Sequence, residues 1–265
     1  MKNNQLRGTL LRGINYFLIA YFLTTIFAYL FADLYMFKAP RPSYQFGKDI
    51  LKIKTQDGAT ISALYLPNKN AAYTVLISHG NSEDLGYMIP FLKKFHDEGF
   101  AIFAYDYHGY GASTGRPTEK NAYIDINAAY DYLTGNLHVL PGHVIAYGRS
   151  LGAALAIDLA MRKPIAGLII ESPFLTAYRT ITQVPLLLFD KFDNLSKIEK
   201  VKCPVLVIHG KYDFVVPFWQ GKMIYKKANS PKYFFSVENA GHNNVAIHGG
   251  NAYWKIMSQF AQSLK

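Results

Sequence analysis

Val144-Ile-Ala-Tyr-Gly-Arg-Ser-Leu-Gly-Ala-Ala-Leu-Ala-Ile-Asp158 is the stretch that decides the fold of this chain. It begins with an unbroken apolar run, Val144 to Tyr147. It passes through Gly148-Arg149-Ser150-Leu151-Gly152 and enters an alanine-rich run with helical spacing. An apolar run without alternation predicts a strand buried on both faces, followed here at once by a helix. G-x-S-x-G carries little information alone, because Gly and Ser are common. Between a strand and a helix it predicts a sharp, strained turn. Such a turn lifts the serine hydroxyl clear of the sheet, to a helix N-terminus where negative charge is favoured. Gly148 and Gly152 leave room for the turn. The competing use of Ser150 is an ordinary helix N-cap.

Outward from this unit the same pattern repeats. Apolar runs at Thr74 to Ser78, Ala101 to Tyr105, Ala166 to Ile170, Val205 to His209 and Tyr233 to Val237 predict further buried strands. Helical spacing is seen at Leu85 to Glu98, Asn121 to Thr134, Leu151 to Arg162, Trp219 to Ala228 and Gly250 to Leu264. Two alternating runs, Ile50 to Lys54 and Thr60 to Leu66, flank Asp57-Gly58 and predict a hairpin. A hairpin followed by strand–helix repeats is an α/β arrangement: an open, doubly wound, mostly parallel sheet. In such sheets the active site lies at the carboxyl ends of the strands. Residues 173–200 break the alternation and read as a short cap over those ends. Their apolar stretch, Pro185 to Phe189, fits either an acyl-binding groove or ordinary helix packing.

The length of 265 residues suits one well-buried domain with a short appendage. Gly13 to Ala32 contains no charge and is about 20 residues long, enough to span a bilayer as a helix. Residues 1–38 therefore read as a single-pass N-terminal membrane anchor and residues 39–265 as the catalytic domain. The alternatives are a cleavable signal peptide, for which Leu30-Phe31-Ala32 is a poor cleavage site, and a buried core helix. Tyr16, Tyr21, Tyr29 and Tyr35 include residues placed to sit near the membrane interfaces. The flanking cations nearly balance, Lys2, Arg7 and Arg12 against Lys38, Arg41 and Lys48. The short N-terminal tail tips the orientation towards a catalytic domain across the membrane, leaving its side open.

The formal net charge of +10 raises nucleic acid and anionic membrane as partners. The cations are scattered, as at Lys93-Lys94 and Lys226-Lys227, with no basic stripe, so nucleic acid is not expected. They form either a solvated surface or a face leaning on lipid headgroups. The one cysteine, Cys203, permits no internal disulfide and no cysteine metal site. No metal or cofactor is called for.

A serine hydroxyl needs a base to become a nucleophile, and the base needs an acid to fix its tautomer. In strand–turn–helix serine enzymes the chain order is Ser, then Asp or Glu, then His. His242, in Ala240-Gly241-His242-Asn243 after a late strand, is the expected base. His248 competes but lies close to the last helix. His96 and His138 lie away from the strand ends, and His209 is expected to point into the sheet edge. Asp213, in His209-Gly210-Lys211-Tyr212-Asp213, is the expected acid, with Glu171 as runner-up and Asp190 and Asp193 read as structural. The oxyanion donors are expected from the backbone N–H of Leu151 and of Asn81, in His79-Gly80-Asn81, where Gly80 permits a close turn. Asp106 is expected to brace the loops nearby.

Taken in order, His79-Gly80-Asn81, Asp106-Tyr107-His108-Gly109-Tyr110-Gly111, Gly148-Arg149-Ser150-Leu151-Gly152, His209-Gly210 with Asp213, and Gly241-His242-Asn243 resemble the α/β-hydrolase-domain serine hydrolases. The resemblance is to the membrane-associated protein depalmitoylases and their bacterial and fungal relatives. It covers the chain from about Ile50 onward. It implies the α/β-hydrolase fold and cofactor-free cleavage of acyl esters or thioesters, on a lipid or a lipidated protein. This chain departs from the pattern in two ways. It lacks the N-terminal cysteine cluster and has an apolar helix instead, and Asn244 stands where the subgroup often has Asp. A serine peptidase of the same fold and a non-catalytic binding module remain as alternatives.

Overall fold

The computed structural model describes residues 2–45, 50–182, 184–187, 189–229 and 231–264. Lys48, counted above among the flanking charges, and Leu188, in the apolar stretch of the cap, lie outside them. The chain divides into two compact units, Met1–Lys38 and Ala39–Lys265.

The first unit is one helix, α1, Lys2–Met36. No part of its most apolar window is buried, and Phe17, Phe22 and Leu30 stand exposed. A soluble core helix would bury such side chains. This helix is instead long and apolar enough to cross a membrane.

The second unit is built on one eight-stranded sheet. Its strands are β1 (Ile50–Lys54), β2 (Thr60–Leu66), β3 (Thr74–Ser78), β4 (Ala101–Tyr105), β5 (Val144–Arg149), β6 (Gly167–Glu171), β7 (Val205–Gly210) and β8 (Lys232–Val237). The spatial order is β1-β2-β4-β3-β5-β6-β7-β8. β2 pairs antiparallel with β1 and β4, and every other pairing is parallel. This is the α/β-hydrolase arrangement expected from the sequence. The connecting helices are α2 (Leu85–Asp97), α3 (Glu119–Gly135), α4 (Leu151–Arg162), α5 (Asn194–Ile198), α6 (Phe218–Lys227) and α7 (Val245–Gln262).

The apolar runs have a physical cause. Val75, Ile77, Ile102 and Tyr147 join Leu92 and Phe95 of α2 and Trp254 and Met257 of α7 in one core. Their strand neighbours Leu76, Phe103 and Ala146 are equally buried and, by the period of two, face the opposite side. There α4 packs on β3, β5 and β6, with α3 alongside. Both faces of the central strands are therefore dry. α4 has no wet side in its first ten residues, Leu151 to Ala160, which explains its small side chains.

Two expectations are corrected. The last helical run begins earlier than expected, at Val245, and Gly250 at φ 49°, ψ −135° breaks it, so the helix read from Gly250 is the second of two joined at a kink. The packed-helix reading of Pro185 to Phe189 fails, since no helix covers its described residues and Leu186 stands exposed. Pro185 supplies no N–H to a helix ladder. In 173–200 the regular pieces among the described residues are a 3-10 turn at Tyr178–Thr180 and α5, capped by Asp193.

A Cβ built on Gly152 would overlap the backbone carbonyls of Ser78 and His79, whereas one on Gly142 meets nothing within 4 Å. Gly152→Ala is therefore expected to destabilise the fold by at least the ~1–3 kcal/mol of an overpacked core, while Gly142→Ala stays within about 0.5 kcal/mol of wild type. Thermal and urea melts of the two variants check this; equal stabilities would contradict it.

Candidate active site

The turn from β5 into α4 holds Ser150 at φ 53°, ψ −113°. A non-glycine residue held in such sparsely populated backbone costs about 1–3 kcal/mol. Neighbouring structure imposes it: Ser150 N–H donates to the Glu171 carbonyl at the end of β6 (2.9 Å). Gly148 lies so close to the Gly152 carbonyl that no side chain would fit between them. The N-cap use of Ser150 does not hold, because its side chain makes no capping bond. Its hydroxyl instead donates to His242 Nε2 at 2.9 Å.

His242 stands on the loop after β8. Two contacts shape that loop: Tyr212 N–H donates to the Ala240 carbonyl (2.8 Å), and Gly241 N–H donates to Asn244 Oδ1 (2.7 Å). Asn244 thus serves the loop through its amide oxygen, an acceptor that a carboxylate would also offer. His242 Nδ1–H donates to Asp213 Oδ2 at 2.8 Å, so the ring presents a bare Nε2 to the serine.

Asp213 follows β7 and is buried. Its Oδ1 accepts from Val215 N–H (3.0 Å) and Val216 N–H (2.8 Å). His209, expected at the sheet edge, lies on an interior strand and is fully buried beside this carboxylate. Its Nε2–H donates to the Val216 carbonyl (2.9 Å) and lies 3.3 Å from Asp213 Oδ2. Burial pushes the Asp213 carboxyl up. Hydrogen bonds from His209 and His242, the charge of His242 and the Val216 N–H outweigh this and hold it well below the usual carboxylate range. The carboxylate therefore stays charged, fixes the His242 tautomer and can stabilise an imidazolium.

The segments carrying the two expected oxyanion donors meet at Gly152. Leu151 opens α4, and Gly152 abuts the backbone of Ser78 and His79 at the end of β3, next to Gly80 and Asn81. His79 stacks on Tyr107 with ring centroids 4.1 Å apart, and the Tyr107 hydroxyl donates to the His79 carbonyl (2.5 Å). The Tyr110 hydroxyl donates to Asn81 Oδ1 (2.6 Å). Asp106 is fully buried behind this loop. Its Oδ1 accepts from Leu85 N–H (2.8 Å) and its Oδ2 from the Tyr44 hydroxyl (2.5 Å).

The remaining candidates lie elsewhere. Glu171 accepts from the hydroxyls of Tyr147 (3.0 Å) and Tyr253 (2.6 Å). Asp190 accepts from Thr176 and from Tyr178 N–H. His96 lies on α2 and contacts the Pro67 carbonyl (3.2 Å), and His248 sits exposed in the first turns of α7. Among the described residues, no cluster of three His, Cys, Asp or Glu side chains could hold a metal. Sequence reasoning missed His209 as a neighbour of the acid. It also missed Glu83, which pairs with Arg149. The signal available was only their position, inside or beside two motifs.

A family model described as serine aminopeptidase, S33, matches residues 69–197. The chain is 40% identical over 211 residues to α/β-hydrolase domain-containing protein 17B of Homo sapiens, covering 78% of this chain and 73% of that one. It is 40% identical over 200 residues to α/β-hydrolase domain-containing protein aho-3 of Caenorhabditis elegans, covering 73% and 59% respectively. Among solved structures, the Pyrococcus furiosus esterase Pf2001 superposes with a TM-score of 0.72 at 22% identity, covering 85% of this chain and 98% of that one. A Paleococcus ferrophilus monoacylglycerol lipase does so with a TM-score of 0.62 at 19% identity, covering 77% and 99%. At such identities these two attest the fold alone.

Asp213 also ties stability to pH. Its folded pKa is depressed, so the stability it confers is present above the unfolded value near 3.9 and is lost as pH falls through the folded value. In urea melts across this acid range, the stability gap between wild type and Asp213→Asn is expected to be full above about pH 5 and to shrink below about pH 4. A gap constant with pH would contradict the depressed carboxyl.

Proposed function

The chain belongs to the α/β-hydrolase family that includes α/β-hydrolase domain-containing protein 17B, and it is a hydrolase. On that premise we propose that it cleaves acyl esters or thioesters through an acyl-enzyme on Ser150, while α1 anchors it in a membrane. The observation that carries this reading is the unbroken hydrogen-bond chain Ser150–His242–Asp213.

In this reaction His242 Nε2 takes the Ser150 proton as Oγ attacks the acyl carbonyl carbon. The Asp213 carboxylate stabilises the imidazolium. The oxygen that becomes negative in the tetrahedral intermediate accepts from the N–H groups of Leu151 and Asn81. Each such donor contributes about 2.7–4 kcal/mol to the transition state. Collapse breaks the bond to the leaving alcohol or thiol, which takes the proton from His242. Water then attacks the acyl-enzyme by the reverse proton route, releasing the acid and restoring Ser150. The step requires no cofactor.

Long-chain acyl substrates reside in bilayers, and the exposed apolar helix α1 would hold the enzyme beside them. The exposed Ile181, Val184 and Leu186 in the cap are suited to receive an acyl chain. This favours a lipid or a lipidated protein as substrate. A peptidase reading draws on the description of the matching family model. It would call for a charged pocket to bind a peptide terminus.

The test is fluorophosphonate labelling of the full-length, detergent-solubilised protein, followed by hydrolysis of p-nitrophenyl esters of increasing chain length and of aminoacyl p-nitroanilides. Labelling is expected in wild type and absent in Ser150→Ala. Ester turnover in His242→Ala is expected to fall by at least about 10³-fold. A folded wild-type protein that takes no label would overturn the nucleophile and favour a binding module. Faster cleavage of anilides than esters would favour the peptidase.

A further inference from the structure

One buried ion pair beside Ser150 has no part in the proton transfers. Arg149, the residue before the nucleophile, pairs with Glu83 on the loop after β3. Their side chains are only 15% and 9% exposed, so this is not a solvated surface contact. The Glu83 carboxylate has a second partner: its Oε2 accepts the Gly80 N–H at 2.6 Å. A Cβ on Gly80 would lie 2.9 Å from Glu83 Oε2 and 3.5 Å from Arg149 Nε. Gly80 is therefore seated in the fork between the two charged groups.

The placement has a consequence for the site. Gly80 supplies the carbonyl half of the peptide whose N–H belongs to Asn81. The Gly80 N–H itself belongs to the preceding His79–Gly80 peptide, so the Glu83 carboxylate fixes the unit from which the Asn81 peptide starts. Tyr107 holds the His79 carbonyl of that same unit, His79 Nδ1–H donates to the Gly80 carbonyl (2.8 Å), and Tyr110 holds the Asn81 side chain. One carboxylate thus links the nucleophile's neighbour in the chain to the loop carrying the second oxyanion donor. A guanidinium suits this task because its planar fork fixes direction as well as charge.

We propose that Glu83 and Arg149 are a positioning pair that sets the Asn81 N–H against Ser150. The role rests on the assignment of Ser150 as nucleophile made above. The pair touches no reacting atom; it acts by holding the oxyanion loop to the turn that bears the serine.

The test uses full-length protein in detergent and the variants Glu83→Gln, Arg149→Gln, the double variant and Arg149→Lys. Glu83→Gln can keep its one acceptor oxygen on the Gly80 N–H, but it removes the charge and turns an NH2 donor towards Arg149, which breaks the pair. The readouts are melting temperature, kcat and KM on p-nitrophenyl acetate, and affinity for an aryl trifluoromethyl ketone. That ketone mimics the tetrahedral oxyanion by forming a hemiketal with a serine hydroxyl. Both single Gln variants are expected to lose about 10- to 100-fold in kcat, the cost of a slightly misplaced or lost donor, with KM within about threefold of wild type. Ketone affinity should fall by the same factor as kcat. The double variant should be little worse than either single one, as for residues acting as a unit, and Arg149→Lys, which keeps the charge but not the fork, should recover only part of the rate.

Folded Gln variants whose kcat and ketone affinity stay within about twofold of wild type would overturn the pairing role, as would losses confined to KM. Losses that follow melting temperature alone, with ketone affinity intact, would also overturn it by showing a purely structural pair. Fluorophosphonate labelling of wild type separates this failure from that of the underlying site. A labelled wild type with indifferent variants refutes the pair alone, and an unlabelled wild type refutes the nucleophile and the pair with it.

Discussion

At the turn from β5 into α4, two glycines stand where a single methyl group would overlap backbone oxygen. Gly148 is pressed against the Gly152 carbonyl, and Gly152 against the end of β3. This close approach brings the start of α4 and the His79-Gly80-Asn81 loop into one place. It also leaves Ser150 no ordinary backbone conformation, which is why a residue with a positive φ stands at the head of a buried helix. The strain is offset by the packing of α4, whose first ten residues are all buried. Core burial thus supports the strained geometry of Ser150.

Around that turn, charge is handled by pairing. Asp213 is buried, yet it remains a carboxylate because two backbone N–H groups and two histidines face it. Asp106 is buried behind the neighbouring loop and takes its bonds from Leu85 and Tyr44. Glu83 and Arg149 offset one another. A buried carboxylate left without such partners would protonate or destabilise the fold. Each partner therefore keeps one loop at the carboxyl edge of the sheet in a single arrangement.

Much of this was legible in the residues. The runs Thr74 to Ser78 and Ala101 to Tyr105 gave their strands at the observed bounds, because a strand dry on both faces has no other pattern. Asp57-Gly58 between alternating runs marked the hairpin for the same kind of local reason. The motifs named Ser150, His242 and Asp213, which the fold brings within hydrogen-bond reach of one another. What stayed hidden was non-local. Nothing in the one-dimensional pattern pairs Glu83 with Arg149, and a histidine ending a strand gives no sign that Asp213 will fold back over it. The helical turns from Val245 that precede the last helix were not foreseen, while the helix read from Gly250 follows the kink at that residue. Pro185 to Phe189 read equally as an acyl-binding groove or as helix packing, and the second fails because no helix covers its described residues and Leu186 remains exposed.

The account joins a strained serine, a fixed histidine tautomer and two backbone donors on adjoining segments, all at the ends of parallel strands. An experimental structure of the full-length protein with an aryl trifluoromethyl ketone bound tests that claim most directly. The account predicts a covalent bond from Ser150 Oγ to the ketone carbon, with the oxyanion within about 3.1 Å of the N–H groups of both Leu151 and Asn81. An inhibitor bonded to another residue, or an oxyanion turned away from both donors, would contradict it.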